Sequence, residues 1–288
     1  MTGLIALTGP NRQSSTVKAQ EFEAKPVLTA KVHVKLPKSV LANPLFQLIE
    51  LRNDREKPLG KKFKILDLRP TQFAVGMMEV DEKIKQVLSF KKKELKSYIA
   101  ESIVPVVRGP NGQLYVVDKH HFLCVCYHLG IRKVNVEIIK DFHSEDMSYA
   151  QFWKWMHKTR HAYPFCQFGE GPRKEFYLPR DIRGLADDPY RSIAWFVRKS
   201  GAFENTSRNF AEFKWANFFR SKKLLDREGL SGFEKALLKA INLAQSPAAR
   251  GLPGYGKLNL KAQEKAKDKV RSTVKKVRKN SDVVKNQT

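Results

Sequence analysis

The segment that most constrains this chain lies between residues 104 and 139. Val104, Val106 and Val107 form a short β-branched run, and residues 108–112 (Arg-Gly-Pro-Asn-Gly) are dense in turn formers. Leu114, Tyr115, Val116 and Val117 form a second apolar run, so the two pair as a hairpin. Asp118 stands where an N-cap belongs, residues 120–129 read as a helix, and Gly130 stops it. Val134, Val136, Ile138 and Ile139 mark a further strand. Hairpin, helix and strand in that order make a compact α/β unit.

Chemistry gathers at the junction of the second strand and the helix. A helix N-terminus offers free N–H groups and the positive end of its dipole, which together attract an anion. Asp118, Lys119, His120 and His121 fall at that turn. Lysine neutralises phosphate oxygens, histidine donates to them or shuttles a proton, and aspartate orients a cation or hydroxyl. A plainer reading uses the same residues: Asp118 as a cap, His120 and His121 as first-turn residues, one of them partly buried. Spacing alone leaves both open.

The rest of the chain frames this unit. Residues 1–30 read as a loosely ordered arm, and residues 31–36 alternate apolar and polar as a half-buried strand does. Residues 63–68 repeat that alternation, with Pro70 closing the strand. Ile84, Val87, Leu88, Leu95, Tyr98 and Ile99 fall at helical spacing with lysines opposite, and Pro105 ends that segment. Beyond residue 145 the pattern is helical, over 151–161, 189–200, 208–225 and 233–245. Asp188 before Pro189, with Gly201 past the end, punctuates the second of these at both ends. Residues 247–256 read as a linker, and the last 32 residues lack an apolar stripe, as a disordered tail or frayed solvated helix does.

Composition limits the partners. The net charge is +25, of which residues 257–288 supply +8, so the body is basic as well. That field attracts polyanions: nucleic acid, an anionic membrane or phosphorylated small molecules. It also serves as plain solubilising charge. Three cysteines, Cys124, Cys126 and Cys166, have no CxxC spacing, which points to a reducing compartment. Met1 to Pro10 lacks a basic leader, and no apolar run approaches a membrane span, so the expectation is a soluble, cytoplasmic protein with no membrane partner.

Residues 114–130, with Asp-x-His-His opening a helix that ends in Leu-Gly, resemble the ParB/sulfiredoxin superfamily and its ParB-like nuclease branch. Residues 68–72 (Leu-Arg-Pro-Thr-Gln), Val75, Gly76, Glu79, residues 163–165, 187–191 and 210–213 resemble that branch too. The resemblance implies an α+β fold: a ParB/sulfiredoxin-like mixed sheet with helices over residues 31–144, then a helical domain over 145–246. It implies nucleotide phosphates at the strand–helix junction: ATP in sulfiredoxins, CTP in ParB proteins, ATP or ADP in free-serine kinases with Asp-Gly-His-His-Arg. Asp118, His120 and His121 match that motif, Lys119 replaces its Gly, and Phe122 replaces its Arg. Losing the Arg removes a phosphate fork, which Lys119 or Arg108 would have to replace. The sulfiredoxin cysteine has no counterpart, since Lys119 occupies its place.

The resulting expectation is a nucleotide-phosphate-binding protein, possible as a phosphotransferase on a small hydroxyl substrate. Glu79, Asp118, His120 and His121 are its catalytic candidates, with Arg108, Lys119 and Gln72 binding ATP, ADP or CTP and Mg²⁺ assisting. Glu79 equally suits an ordinary first-turn glutamate. The alternatives are a DNA- or RNA-binding protein or nuclease working through the basic surface and tail, and a non-catalytic interaction module. His120, Cys124 and His128 share a helix face, but one helix rarely completes a tetrahedral site, and no metal ligand set is assigned. Phe152, Trp153, Trp155, Phe165 and Phe168, interleaved with cations, suit either base stacking or core packing.

Overall fold

The computed structural model describes residues 61–225 and 232–256, together with the helical, exposed positions Asp268, Ser272 and Lys275. The N-terminal arm, the strand expected at 31–36 and the rest of the tail lie outside the described residues.

Five strands form one mixed sheet: β1 (Lys61–Lys64), β2 (Leu68–Pro70), β4 (Val104–Arg108), β5 (Leu114–Val116) and β6 (Lys133–Asp141), in the order β1-β6-β4-β5-β2. The run expected as one strand over 63–68 is split by a 3-10 turn, Ile65–Asp67, and its halves become the two edges of the sheet. Four Cα steps reach roughly 14 Å, whereas the edges of a flat five-stranded sheet stand about 19 Å apart. The sheet therefore curls. A two-stranded parallel pair, β3 (Ala74–Val75) with β7 (Ala186–Asp187), stands apart from it.

The hairpin of β4 and β5 forms as expected, with Val106 opposite Val116 and Arg108 opposite Leu114. Its alternation fills two cores. Val106, Leu114 and Val116 join a cluster with Ile65, Val80, Ile84, Leu95, Leu123 and Val125. Val107 and Tyr115 point the other way, to Phe152, Trp153 and Met156. The first cluster is covered by α1 (Met77–Leu88), α2 (Lys92–Glu101) and α3 (His120–His128), the second by α4 (Tyr149–Lys158). The long amphipathic segment is thus two helices. Lys91 restarts the chain as N-cap of α2, its N–H donating to Glu94 Oε2 at 2.6 Å. Pro105 does not merely end that segment but lies within β4, where its carbonyl accepts from Val117 N at 3.1 Å.

Three further helices, α5 (Pro189–Lys199), α6 (Ala211–Ser221) and α7 (Phe233–Ala244), enclose a third cluster around Phe196, Trp215, Phe219 and Leu237. Asp188 caps α5, accepting from Tyr190 N and Arg191 N at 3.0 and 3.1 Å. Residues 247–256, expected as a linker, are packed instead. Ala249 is fully buried, and Trp215 Nε1 donates to Pro253 O at 2.7 Å. An indole needs a partner once buried, and this loop supplies one.

Helix α1 serves both the first and third clusters, since Met78 belongs to the helical cluster and Val80 and Ile84 to the sheet cluster. Gly76 makes that possible. A Cβ there would stand 2.6 Å from Ser192 Oγ and 2.8 Å from Ser192 N, so any side chain would push α1 away from α5.

Candidate functional site

Strand β5 delivers the chain to α3 through two exposed residues, Asp118 and Lys119. Lys119, not Asp118, is the N-cap, and it adopts the left-handed conformation at φ 69°, ψ 19°. Asp118 stands one position earlier, and its Oδ1 accepts from Lys119 N at 2.6 Å. The chain must rotate sharply from strand into helix, and the left-handed residue supplies that rotation. The first intrahelical bond runs from Leu123 N to Lys119 O at 3.0 Å. The N–H groups of His120, His121 and Phe122 precede it, and they have no acceptor among the described residues. Neither does the Lys119 ammonium have an ion-pair partner there.

The two histidines open the same helix but face inward. His120 is 3% exposed, and its Nε2 accepts from Thr71 N at 3.3 Å. Thr71 Oγ1 in turn donates to Val116 O at 2.6 Å, fastening the end of β5. Burial pushes the His120 pKa down to about 3, so the ring is neutral at any ordinary pH. His121 Nε2 accepts from Gly76 N at 3.1 Å and lies 3.3 Å from Glu79 Oε2. A nitrogen that accepts an N–H carries no proton, so the carboxylate is a close neighbour of the ring rather than its hydrogen-bond partner. Burial, with Arg191 and Lys83 nearby, holds His121 well below the usual histidine range. Both rings act as acceptors that tie residues 71–76 to α3.

Glu79 is 3% exposed and surrounded by cations. Lys83 Nζ lies 2.6 Å from Oε1, and Arg191 Nη1 donates to Oε2 at 2.9 Å. Arg191 also pairs with Glu212, which holds Arg198 Nε at 2.5 Å, and its guanidinium lies 5.5 Å from the Phe213 ring centre. Burial alone would depress the Arg191 pKa, but Glu212, Glu79 and Asp188 outweigh it and hold the guanidinium charged. Asp188 pairs with Arg220 at 2.7 Å in the same region. This ionic seam joins α1, α5 and α6.

The expected site residues therefore divide. Asp118 and Lys119 stand exposed at the mouth of α3, its N-terminal turn, while His120 and His121 turn inward behind it and Glu79 belongs to the seam. Arg108 is not at the site: it pairs with Leu114, at the far end of β5 from Asp118, and its Nη1 binds Asp141 at 2.8 Å. Antiparallel pairing forces this, because the strand leaving the hairpin runs away from Arg108. Gln72 is buried in the wall beside Thr71, where its Nε2 donates to Ala74 O at 2.7 Å. Phe122 is buried and meets Tyr98 edge-on at 5.5 Å, so the position of the motif Arg carries packing and no charge. Arg191 and Glu212 were given no role by sequence reasoning, although both fall in stretches that carried the resemblance.

Among the described residues no three His, Cys, Asp or Glu side chains converge on a metal position. Cys124 is buried in the sheet core, which pushes its thiol up to about 12. No helix among those residues is long and apolar enough to cross a membrane.

A family model described as "Putative ParB-like nuclease" matches residues 61–221. Among solved structures, the crystal structure of protein Atu1540 from Agrobacterium tumefaciens is 34% identical, with a TM-score of 0.62, and the likeness covers 69% of this chain and 97% of that one. No curated protein matches.

Proposed function

The chain belongs to the ParB-like nuclease family of the ParB/sulfiredoxin superfamily, and from that premise we propose that it binds nucleotide phosphates at the start of α3. The observation that carries this reading is the unspent first turn: three N–H groups without an acceptor among the described residues, beside an exposed Lys119. The amides supply the oriented donors for one phosphate, and Lys119 supplies the charge that the family's Arg provides elsewhere. ATP, ADP and CTP all present such a group.

The catalytic form of this reading is phosphoryl transfer to a small hydroxyl substrate. Asp118 is exposed at the mouth, and only its Oδ1 accepts from Lys119 N, so Oδ2 is available to orient an acceptor hydroxyl or Mg²⁺. Bound Mg²⁺ would neutralise phosphate charge. Glu79 and His121 act differently. Glu79 is held by Lys83 and Arg191, and His121 Nε2 by the Gly76 amide, so they position the α1 end of the site rather than move protons.

Thermal shift with ATP, ADP and CTP, each with and without Mg²⁺, tests the proposal. A ligand at a hundredfold its Kd should stabilise the fold by about 2.7 kcal/mol. Lys119→Ala, at an exposed position, should abolish most of the shift while the free protein melts as before. No shift with any nucleotide, or a full shift in that variant, removes the reading.

The net charge of +25 favours a second reading, nucleic-acid binding through the basic surface and tail. Affinity should then fall steeply with salt and drop on removal of residues 257–288. Nuclease action would further require metal-dependent cleavage that Asp118→Ala abolishes.

A further inference from the structure

The segment from Pro164 to Leu178 holds aromatic rings out in solvent. Phe168 is 52% exposed, Phe176 58% and Tyr177 64%. Such rings normally bury, and a cluster left outside marks a contact surface. Here the backbone enforces the exposure. Arg173 N donates to Pro164 O at 2.7 Å, and Leu178 is buried, its carbonyl accepting from Arg69 Nη2 at 3.3 Å. Between these two anchors a 3-10 turn, Glu175–Tyr177, turns Phe176 and Tyr177 outward. The two rings lie 4.0 Å apart at 39°.

Beside them opens a concavity of about 460 Å³ lined by Pro172, Arg173, Lys174, Phe176 and Tyr177. Its charged lining is cationic, and that volume accommodates a nucleotide. The Glu170 carboxylate stands 4.0 Å from Arg173, but both groups are exposed and such a pair contributes little. Exposed rings beside cations, on a chain of net charge +25, match the platform on which bases stack while the backbone is neutralised.

We propose that this aromatic ledge, Phe176 and Tyr177 with Arg173 and Lys174, is a docking site for single-stranded nucleic acid. It is separate from the α3 turn, and its occupant is held by stacking rather than by helix amides. The sequence left the aromatics of 152–168 open to either base stacking or core packing. Phe152 and Trp153 prove to be core residues against the sheet, Phe168 alone of that set is exposed, and the paired exposed rings Phe176 and Tyr177 lie downstream.

Fluorescence anisotropy on the full chain tests this, with a labelled mixed-sequence 20-nucleotide single strand as DNA and as RNA, and the matching DNA duplex. The single strands should bind more tightly than the duplex. Phe176→Ala/Tyr177→Ala should weaken single-strand binding by roughly tenfold or more with an unchanged salt slope. Its melting should match the unaltered chain, because both rings are exposed. Arg173→Ala/Lys174→Ala should instead reduce the salt slope. Unaltered affinity in the ring variant would place strand binding on the tail or elsewhere and overturn the proposal. So would failure of the full chain to bind single strands at low salt. Sedimentation in parallel covers a second copy of the chain: self-association lost in the ring variant, with strand affinity unchanged, assigns the ledge to that partner instead.

Discussion

The mouth of α3 and the ionic seam behind it are built from the same kinds of side chain and do opposite things. At the mouth, Asp118 and Lys119 are exposed and the first-turn amides are unspent. In the seam, Glu79, Arg191 and Glu212 are sheltered, and each charge has at least one opposite partner within the protein. His120 and His121 lie between, buried like the seam and neutral. The contrast teaches that a polar residue near a phosphate-type turn is a ligand group only where the protein has not already used it.

The largest expected effect breaks the seam. Arg191→Ala would leave Glu79 and Glu212 without their shared cation, and removing one partner of a buried pair costs about 3–5 kcal/mol. Urea denaturation at pH 7.5 measures this, with Arg191→Lys recovering only part because one ammonium cannot serve both carboxylates in fork geometry. A loss below about 1 kcal/mol would mean the seam is no more structural than a surface pair.

Acid should reach the histidines next. His120 has a folded pKa of about 3 against 6.5 unfolded, and His121 is shifted the same way. Between those values the unfolded chain binds protons that the folded chain refuses. Their contribution is therefore complete above pH 6.5 and is lost as pH falls toward the folded values. From pH 7.5 to 5.5 His120 should cost about 1.4 kcal/mol, with His121 adding a loss of the same sign, and His120→Gln should remove its share of that slope in paired urea melts. A flat profile in the unaltered chain would contradict the neutral, buried rings.

The smallest effect separates the mouth from the seam. Lys119 is left-handed, a conformation that costs a residue with a Cβ roughly 1–2 kcal/mol and glycine almost nothing. Lys119→Gly should raise stability by about 1 kcal/mol while reducing the nucleotide-induced thermal shift. Opposite signs in one variant would mark Lys119 as a binding residue that is retained at a structural cost.

Much of the frame was legible because it is local. Alternation at 104–107 and 114–117 specified the hairpin, and Asp188, Pro189 and Gly201 bracketed α5. The division of 63–68 was not legible, since one apolar alternation serves a single strand or two edge strands equally. Nor was the shift of the cap from Asp118 to Lys119, because aspartate is the usual cap and lysine seldom turns left-handed. Arg108 looked close to Asp118 in sequence, yet strand direction carries it to the opposite end of β5.

By itself the sequence determined the strand–turn–helix, its Asp-Lys-His-His content and the basic character of the chain, since these depend on neighbours a few residues apart. Only the tertiary structure decided which of those polar groups remain free. Glu79 meets Arg191 across 112 residues, and His121 meets the Gly76 amide across 45. Burial and charge pairing depend on distance in space, and it is the packing of α1 against both α3 and α5 that brings those residues together.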